Sequence, residues 1–164
     1  MSAALTVARL TALGFTHVLF IPDSESRLLY AAVDENLSLE LITPCREGES
    51  VAIAAGLWVG GAKPLLVIQN TGVMEAGDAL RGCGIGPHIP LRMLVGWRGY
   101  AGGITGKLPI DSAYPYTEPL LDAWGIPHWP LMGDEDIDAL DEMDRTAAET
   151  SLPAAAVSGY TFRL

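Results

Sequence analysis

The chain has 164 residues, 49% of them hydrophobic and 18% charged, a balance that builds one domain with a sizeable core and excludes a disordered chain. Ten basic against 20 acidic residues give a net charge of -10 at pH 7, which, with no basic cluster in the sequence, argues against a nucleic-acid or anionic-membrane surface. No apolar run approaches the roughly 20 residues needed to span a bilayer, so the excess of apolar residues belongs to a core or an interface.

In chain order, a first helix is expected from about Ala3 to Leu13, ended by Gly14. "HVLFI", His17 to Ile21, reads as a buried strand closed by Pro22, followed by a helix from about Glu25 to Glu35. "LSLELI" is a second strand, "EGESVAIAAGLWVGG" a second crossover helix, and "PLLVIQN", Pro64 to Asn70, a third strand. That last run is apolar throughout, as strands buried on both faces of a parallel sheet are. "TGVMEAGDALRGC" starts another helix and "IPLRMLVGW" is a fourth strand. The Gly- and Pro-rich stretch from Arg98 to Tyr116 reads as a long loop, a length more often functional than incidental. "EPLLDAWG", "IPHWPL", "GDEDIDALDEMDRTAAET" and "SLPAAAVSGYTF" complete the pattern as helix, strand, acidic helix capped near Asp134, and last strand. The alternation predicts a doubly wound α/β fold, a mostly parallel sheet with helices on both faces, over residues 1–164 as one domain. Two cysteines, Cys45 and Cys83, with no CxxC and no apolar leader after Met1, point to a reducing, cytoplasmic setting and read as small buried residues.

In open parallel sheets ligands bind beyond the carboxyl ends of the strands. The loops expected there hold the unusual residues: "PDSES", "TPCREGE", "QNTGVME" and "GWRGYAGG". Part of this needs no ligand, since Asp23 or Ser24 suits a helix cap and Glu47 and Glu49 suit a helix's first turn. Arg46 has Glu49 as a natural partner, and Arg98 needs only some acidic neighbour. His88 and His128 read as surface or satisfied histidines; the four tryptophans suit the core or a subunit contact.

Together, "REGESVAIAAG", "QNTG" and "GWRG", spread over nearly the whole chain from "IPDS" to "LDAWGIP", resemble the pyrimidine-binding (PYR) domain of thiamine diphosphate enzymes. Within these, the similarity is to the alpha subunit of sulfopyruvate decarboxylase and the matching half of phosphonopyruvate decarboxylase. The resemblance implies that Glu47 hydrogen-bonds N1′ of the cofactor's aminopyrimidine and favours its imino tautomer. It implies that Gln69, Asn70, Thr71 and Gly72 lie along the pyrimidine, Gly72 allowing close backbone approach, and that Asp23 and Ser24 face the substrate. Arg98 is the best-placed forked donor for a sulfonate or phosphonate, ahead of Arg46, His88 and Lys107. Val73, Met74, Glu75 and Asp78 depart from the QNSGLGN pattern of such relatives.

No metal-binding set is expected in this chain. The Mg2+ and diphosphate site of such enzymes, marked by GDG and a later Asn, is missing from the sequence. The resemblance therefore implies a beta subunit carrying that motif, at least an α2β2 assembly, and a small anionic 2-oxo acid as substrate. Sulfopyruvate, converted to sulfoacetaldehyde and CO2 by a lyase active only with its partner, is the first expectation and phosphonopyruvate the second. A non-catalytic PYR-like assembly module and a stand-alone flavodoxin-like binding domain are the alternatives from other classes.

Overall fold

The apolar run at the centre of the sequence becomes the centre of the sheet. In the computed structural model, which describes residues 1–107 and 111–163, strand β3 (Pro64–Gln69) lies between β1 (His17–Phe20) and β4 (Arg92–Gly96). With β2 (Glu40–Ile42), β5 (His128–Pro130) and β6 (Ala154–Ser158) they form one six-stranded sheet of order β2-β1-β3-β4-β6-β5. Every pairing is parallel, where a mostly parallel sheet was expected. All six expected strands are present.

Alternate residues of β1, β3, β4 and β6 feed two cores. Val18, Phe20, Leu65, Val67, Leu94, Ala154 and Ala156 pack with α1 (Ala3–Ala12), α2 (Arg27–Asp34) and α8 (Ala139–Thr150). Leu19, Leu66, Ile68, Met93, Val95, Ala155 and Val157 pack on the other face. There they meet α3 (Glu47–Val59), the α4–α5 segment (Asn70–Glu75 and Gly77–Ala79) with its π-helical continuation Leu80–Ile85, and α7 (Thr117–Ala123). The fold is doubly wound, as right-handed crossovers demand when the chain runs outward from β1 to β2 and then back across to β3. Successive connections leave β1 and β3 toward opposite faces, and that switch point opens a crevice at their carboxyl ends.

Several details differ from expectation. Within the stretch read as a loop, Tyr100–Thr105 forms α6, bounded by Gly99 and Gly106 at φ 86° and 65°, and Tyr114–Tyr116 forms a 3-10 turn. Residues 108–110 of that stretch lie outside the described residues. The acidic run is not one helix. Asp134–Asp136 is a 3-10 turn and α8 starts only after Asp138, because Asp134 accepts the Ser2 N–H at 2.6 Å and Asp136 the Met132 N–H at 2.9 Å. Cys45 is exposed and Cys83 half-buried, correcting the reading of both as buried. Cys45 sits in the turn before α3, where its N–H is held by Glu49 Oε2 at 2.8 Å and its side chain is left outside the core. Among the described residues, no helix is long and apolar enough to cross a membrane.

The amino-terminal edge carries a closed charge cluster that the sequence did not suggest. Arg92, 6% exposed at the start of β4, donates through Nε to Asp144 Oδ1 at 2.8 Å and through Nη1 to the Pro90 carbonyl at 2.8 Å. Lys63 Nζ donates to the other Asp144 oxygen at 2.7 Å and to the Leu13 carbonyl at 2.6 Å.

Candidate active site

The loops after β1, β2, β3 and β4 meet at the opposite, carboxyl-terminal edge, because parallel strands all point there. Glu47 is the first residue of α3, whose N-cap position, Arg46, is extended at φ -157° and ψ 160° and makes no side-chain cap. Two carboxylates serve the exposed donors of this helix start instead. Glu49 takes the Cys45 N–H. Glu75, from α4, takes the Gly48 N–H at 2.9 Å and the Arg46 guanidinium, whose Nε lies at 2.9 Å. Arg46 thus pairs with Glu75 rather than with its near neighbour Glu49. Both contacts hold the Glu75 carboxyl below the usual carboxylate range, with the Arg46 hydrogen bond the larger cause and the Gly48 N–H the next.

The half-buried Glu47 carboxylate has no hydrogen-bond or ion-pair partner among the described residues. Its side chain lies against Gly72 on α4. A Cβ built on Gly72 would fall 2.5 Å from Glu47 Cγ, 2.8 Å from Ile68 Cγ1 and 2.9 Å from Glu47 Oε1. Those separations are shorter than non-bonded atoms tolerate, so the missing side chain at Gly72 is what gives Glu47 its seat.

The neighbouring "QNT" residues act mainly as braces. Asn70, 1% exposed, donates from Nδ2 to Thr117 Oγ1 at 2.9 Å and to the Arg98 carbonyl at 3.2 Å, tying the end of β3 to α7 and to the loop after β4. Its Oδ1 accepts the Thr71 N–H at 2.9 Å. The Thr71 hydroxyl donates to Gln69 Oε1 at 3.1 Å, leaving the other end of the half-buried Gln69 amide without a protein partner among the described residues.

Across the crevice, Asp23 Oδ1 accepts the N–H groups of Glu25 at 2.7 Å and Ser26 at 2.9 Å, a capping turn that leads into α2. Ser24 is exposed beside it. The exposed Arg98 donates from Nε to Asp111 Oδ2 at 2.8 Å. Among the described residues, no hydrogen bond or ion pair joins Asp23 or Ser24 to Glu47. His88 and Lys107 are exposed.

Sequence reasoning passed over Glu25. It borders a cavity of about 280 Å3 with Trp97, Tyr100, Gly159, Tyr160 and Thr161. Burial and then the charge of Asp23 push its carboxyl up, against an opposing pull from Arg98 that exceeds the further push from Asp111. Trp97 stacks on Tyr114 at 5.5 Å between centroids, and Tyr100 meets Tyr160 edge-on at 5.4 Å. Among the described residues, no group of three or more His, Cys, Asp or Glu is placed to hold a metal ion.

No protein-family model matches the chain. Among curated proteins, it is 30% identical to the sulfopyruvate decarboxylase of Methanosarcina acetivorans over 84% of its own length and 34% of that protein's. It is 34% identical to the phosphonopyruvate decarboxylase of Streptomyces viridochromogenes over 62% of its length and 26% of that protein's. The sulfopyruvate decarboxylase subunit alpha of Methanococcus maripaludis is 22% identical over 87% of this chain and 84% of that subunit. The chain thus spans only about a third or less of the first two relatives. Among solved structures, a thiamine diphosphate-dependent 4-hydroxybenzoylformate decarboxylase from Rhodococcus jostii superposes on 98% of this chain and 30% of its own, with a TM-score of 0.74 at 19% identity. The chain is a homologue of the sulfopyruvate and phosphonopyruvate decarboxylases, and its fold is the PYR-type α/β fold found in a thiamine diphosphate-dependent decarboxylase.

Proposed function

We propose that this chain is the PYR-type alpha subunit of a thiamine diphosphate-dependent decarboxylase of a three-carbon 2-oxo acid, sulfopyruvate first, with residues 1–164 forming that one domain. The observation that carries the reading is the half-buried Glu47 carboxylate, without a partner among the described residues and seated on Gly72 at the carboxyl edge of the sheet. A carboxylate held partly out of water with no donor among the described residues fits a ligand that brings one. The aminopyrimidine of thiamine diphosphate is such a ligand.

Thiamine diphosphate, when bound, supplies the electron sink that loss of CO2 from a 2-oxo acid requires. Glu47 would hold the proton it shares with N1′ of the aminopyrimidine. Gly72, by leaving room for the Glu47 side chain, would keep that carboxylate in one place. The free end of the Gln69 amide is available to the same ring, while Asn70 and Thr71 keep the wall rigid through the bonds described above. Asp23 and Ser24 line the approach from β1. Arg98, exposed although paired with Asp111, is the donor within this chain best suited to a sulfonate. In the overall reaction sulfopyruvate loses CO2 and gains a proton to give sulfoacetaldehyde.

The Mg2+ and diphosphate site would come from outside these residues, on a beta subunit bearing the GDG motif, in an assembly of at least α2β2. Two observations support a partner. One relative is itself named a subunit alpha. Two largely apolar hollows lie beside α7, one bordered by Met74, Tyr116, Pro119 and Leu120 and one by Gly77, Ile85 and Trp124 with the Asp78–Arg81 pair at its edge. Two free cysteines are in keeping with a cytoplasmic setting. Phosphonopyruvate is the second substrate reading, favoured by the 34% identity to a phosphonopyruvate decarboxylase.

The test is aldehyde release from sulfopyruvate and from phosphonopyruvate by the chain co-purified with a GDG-bearing partner, with and without thiamine diphosphate and Mg2+. Cofactor-dependent release from one acid is expected, together with loss of turnover, by about a hundredfold or more, in Glu47→Gln while the complex still forms. Wild-type turnover in Glu47→Gln would overturn the catalytic assignment.

A further inference from the structure

Two residues of α4 grip the turn that carries Glu47. Gly72 receives the Glu47 side chain, and Glu75, on the same short helix, binds the side chain of the residue before Glu47 and the backbone N–H of the residue after it. One Glu75 oxygen accepts from the guanidinium of Arg46, the residue before Glu47; the other accepts the N–H of Gly48, the residue after it. Nothing within α3 serves that N–H, since the first N–H groups of any helix lack intrahelical acceptors and Arg46 makes no side-chain cap. Glu75 is therefore an N-terminal cap delivered from another element, and the sites it binds bracket one residue.

The geometry points to Glu75 as a positioning residue for Glu47: by holding Arg46 and the Gly48 N–H it fixes the first turn of α3, and so the direction in which the Glu47 carboxylate points. This rests on the reading of Glu47 as the group that meets the aminopyrimidine. An exposed Arg–Glu pair adds little to global stability, so the consequence of this one is local. A carboxylate that must share a proton with a fixed ring atom depends on sub-ångström placement, and support of the surrounding backbone is what provides it.

Two measurements on Glu75→Ala and Glu75→Gln test the inference. In the full chain, amide exchange at Gly48 followed by NMR should quicken by about tenfold in Glu75→Ala, the loss expected for one charge-assisted hydrogen bond. Glu75→Gln, whose carbonyl still accepts the N–H but cannot hold the guanidinium's charge, should fall between. In the partner complex with thiamine diphosphate and Mg2+, kcat should drop by about tenfold in Glu75→Ala with KM within about twofold. Glu75→Gln should recover part of that loss. In a Glu47→Gln background the same Glu75 substitution should leave residual turnover unchanged, which a merely structural residue would not do.

Unaltered Gly48 exchange would overturn the anchor whatever the reaction is. Faster exchange with wild-type kcat in both Glu75 variants, alongside an inactive Glu47→Gln, would overturn positioning while leaving the Glu47 reading intact. Normal turnover of Glu47→Gln would remove the reading on which the inference stands.

Discussion

Gly72→Ala isolates the contact between α4 and the candidate catalytic carboxylate. Gly72 is inside a helix with no positive φ, so alanine suits its backbone and by propensity alone should stabilise by about 1 kcal/mol. Its methyl carbon, however, would stand 2.5 Å and 2.9 Å from two Glu47 atoms and 2.8 Å from Ile68 Cγ1. Overpacking of this kind costs about 1–3 kcal/mol, so the net change is a loss of about 0–2 kcal/mol. Removing the Glu47 side chain beyond Cβ abolishes both Glu47 contacts and leaves only Ile68. In a Glu47→Ala background, Gly72→Ala should therefore be neutral or stabilising, with a coupling energy of roughly 1 kcal/mol or more between the two sites. Urea denaturation of the four chains, with m unchanged across the set, measures it. Equal effects of Gly72→Ala in the two backgrounds would refute the reasoning, since the steric argument assigns most of the cost to Glu47.

Asp144→Ala should destabilise by about 3 kcal/mol, because it leaves the Arg92 guanidinium buried without its counter-charge. For a chain of this size that lowers the melting temperature by about 6–12 °C, and a shift of under about 2 °C would contradict the reading. Glu25→Gln should be more stable than the wild type at neutral pH. The folded Glu25 carboxyl titrates above its unfolded value, so the protein is fully stable with respect to this group in acid and loses that contribution as pH rises through the raised value. The advantage of Gln should thus close as pH falls below the unfolded carboxylate range, and an advantage that persists undiminished in acid would exclude the burial argument.

The architecture was legible because buried parallel strands are continuous apolar runs, and Pro64–Gln69, Arg92–Gly96 and Ala154–Ser158 stand out against Gly and Pro punctuation. Irregular helices were less so. Gly99, Gly102, Gly103 and Gly106 made Tyr100–Thr105 look like loop, yet Gly103 is where Tyr114 packs, its ring 2.2 Å from where a Cβ would be. Likewise "TGVMEAGDALRGC" does not run as one helix; Gly77 sits under Trp124, 2.7 Å from a built Cβ, and the chain continues through a π-helical turn. At the candidate site, the family resemblance singled out Glu47 and the "QNTG" turn, whereas the partners of Arg46 and Gly72 depend on the approach of α4 to α3. Short-range pairing rules favour Glu49 for Arg46, but Glu49 is already the acceptor for the Cys45 N–H, and that leaves the guanidinium to Glu75.

The two edges of the sheet treat charge in opposite ways. At the amino-terminal edge, Asp144 bonds both Arg92 and Lys63, and each cation also donates to a backbone carbonyl, so the cluster is satisfied from within. At the carboxyl-terminal edge the backbone is braced by Asn70, Asp23 and Glu75, while Glu47 is held against Gly72 without a donor among the described residues and Glu25 is pushed toward protonation. Half-burying an ionisable group without a partner carries a desolvation cost with no internal compensation, as the raised Glu25 carboxyl shows. A chain able to build the Arg92–Asp144–Lys63 cluster at one end shows that such pairing is within its reach. That contrast supports the proposal that a ligand supplies the donors at the carboxyl-terminal edge.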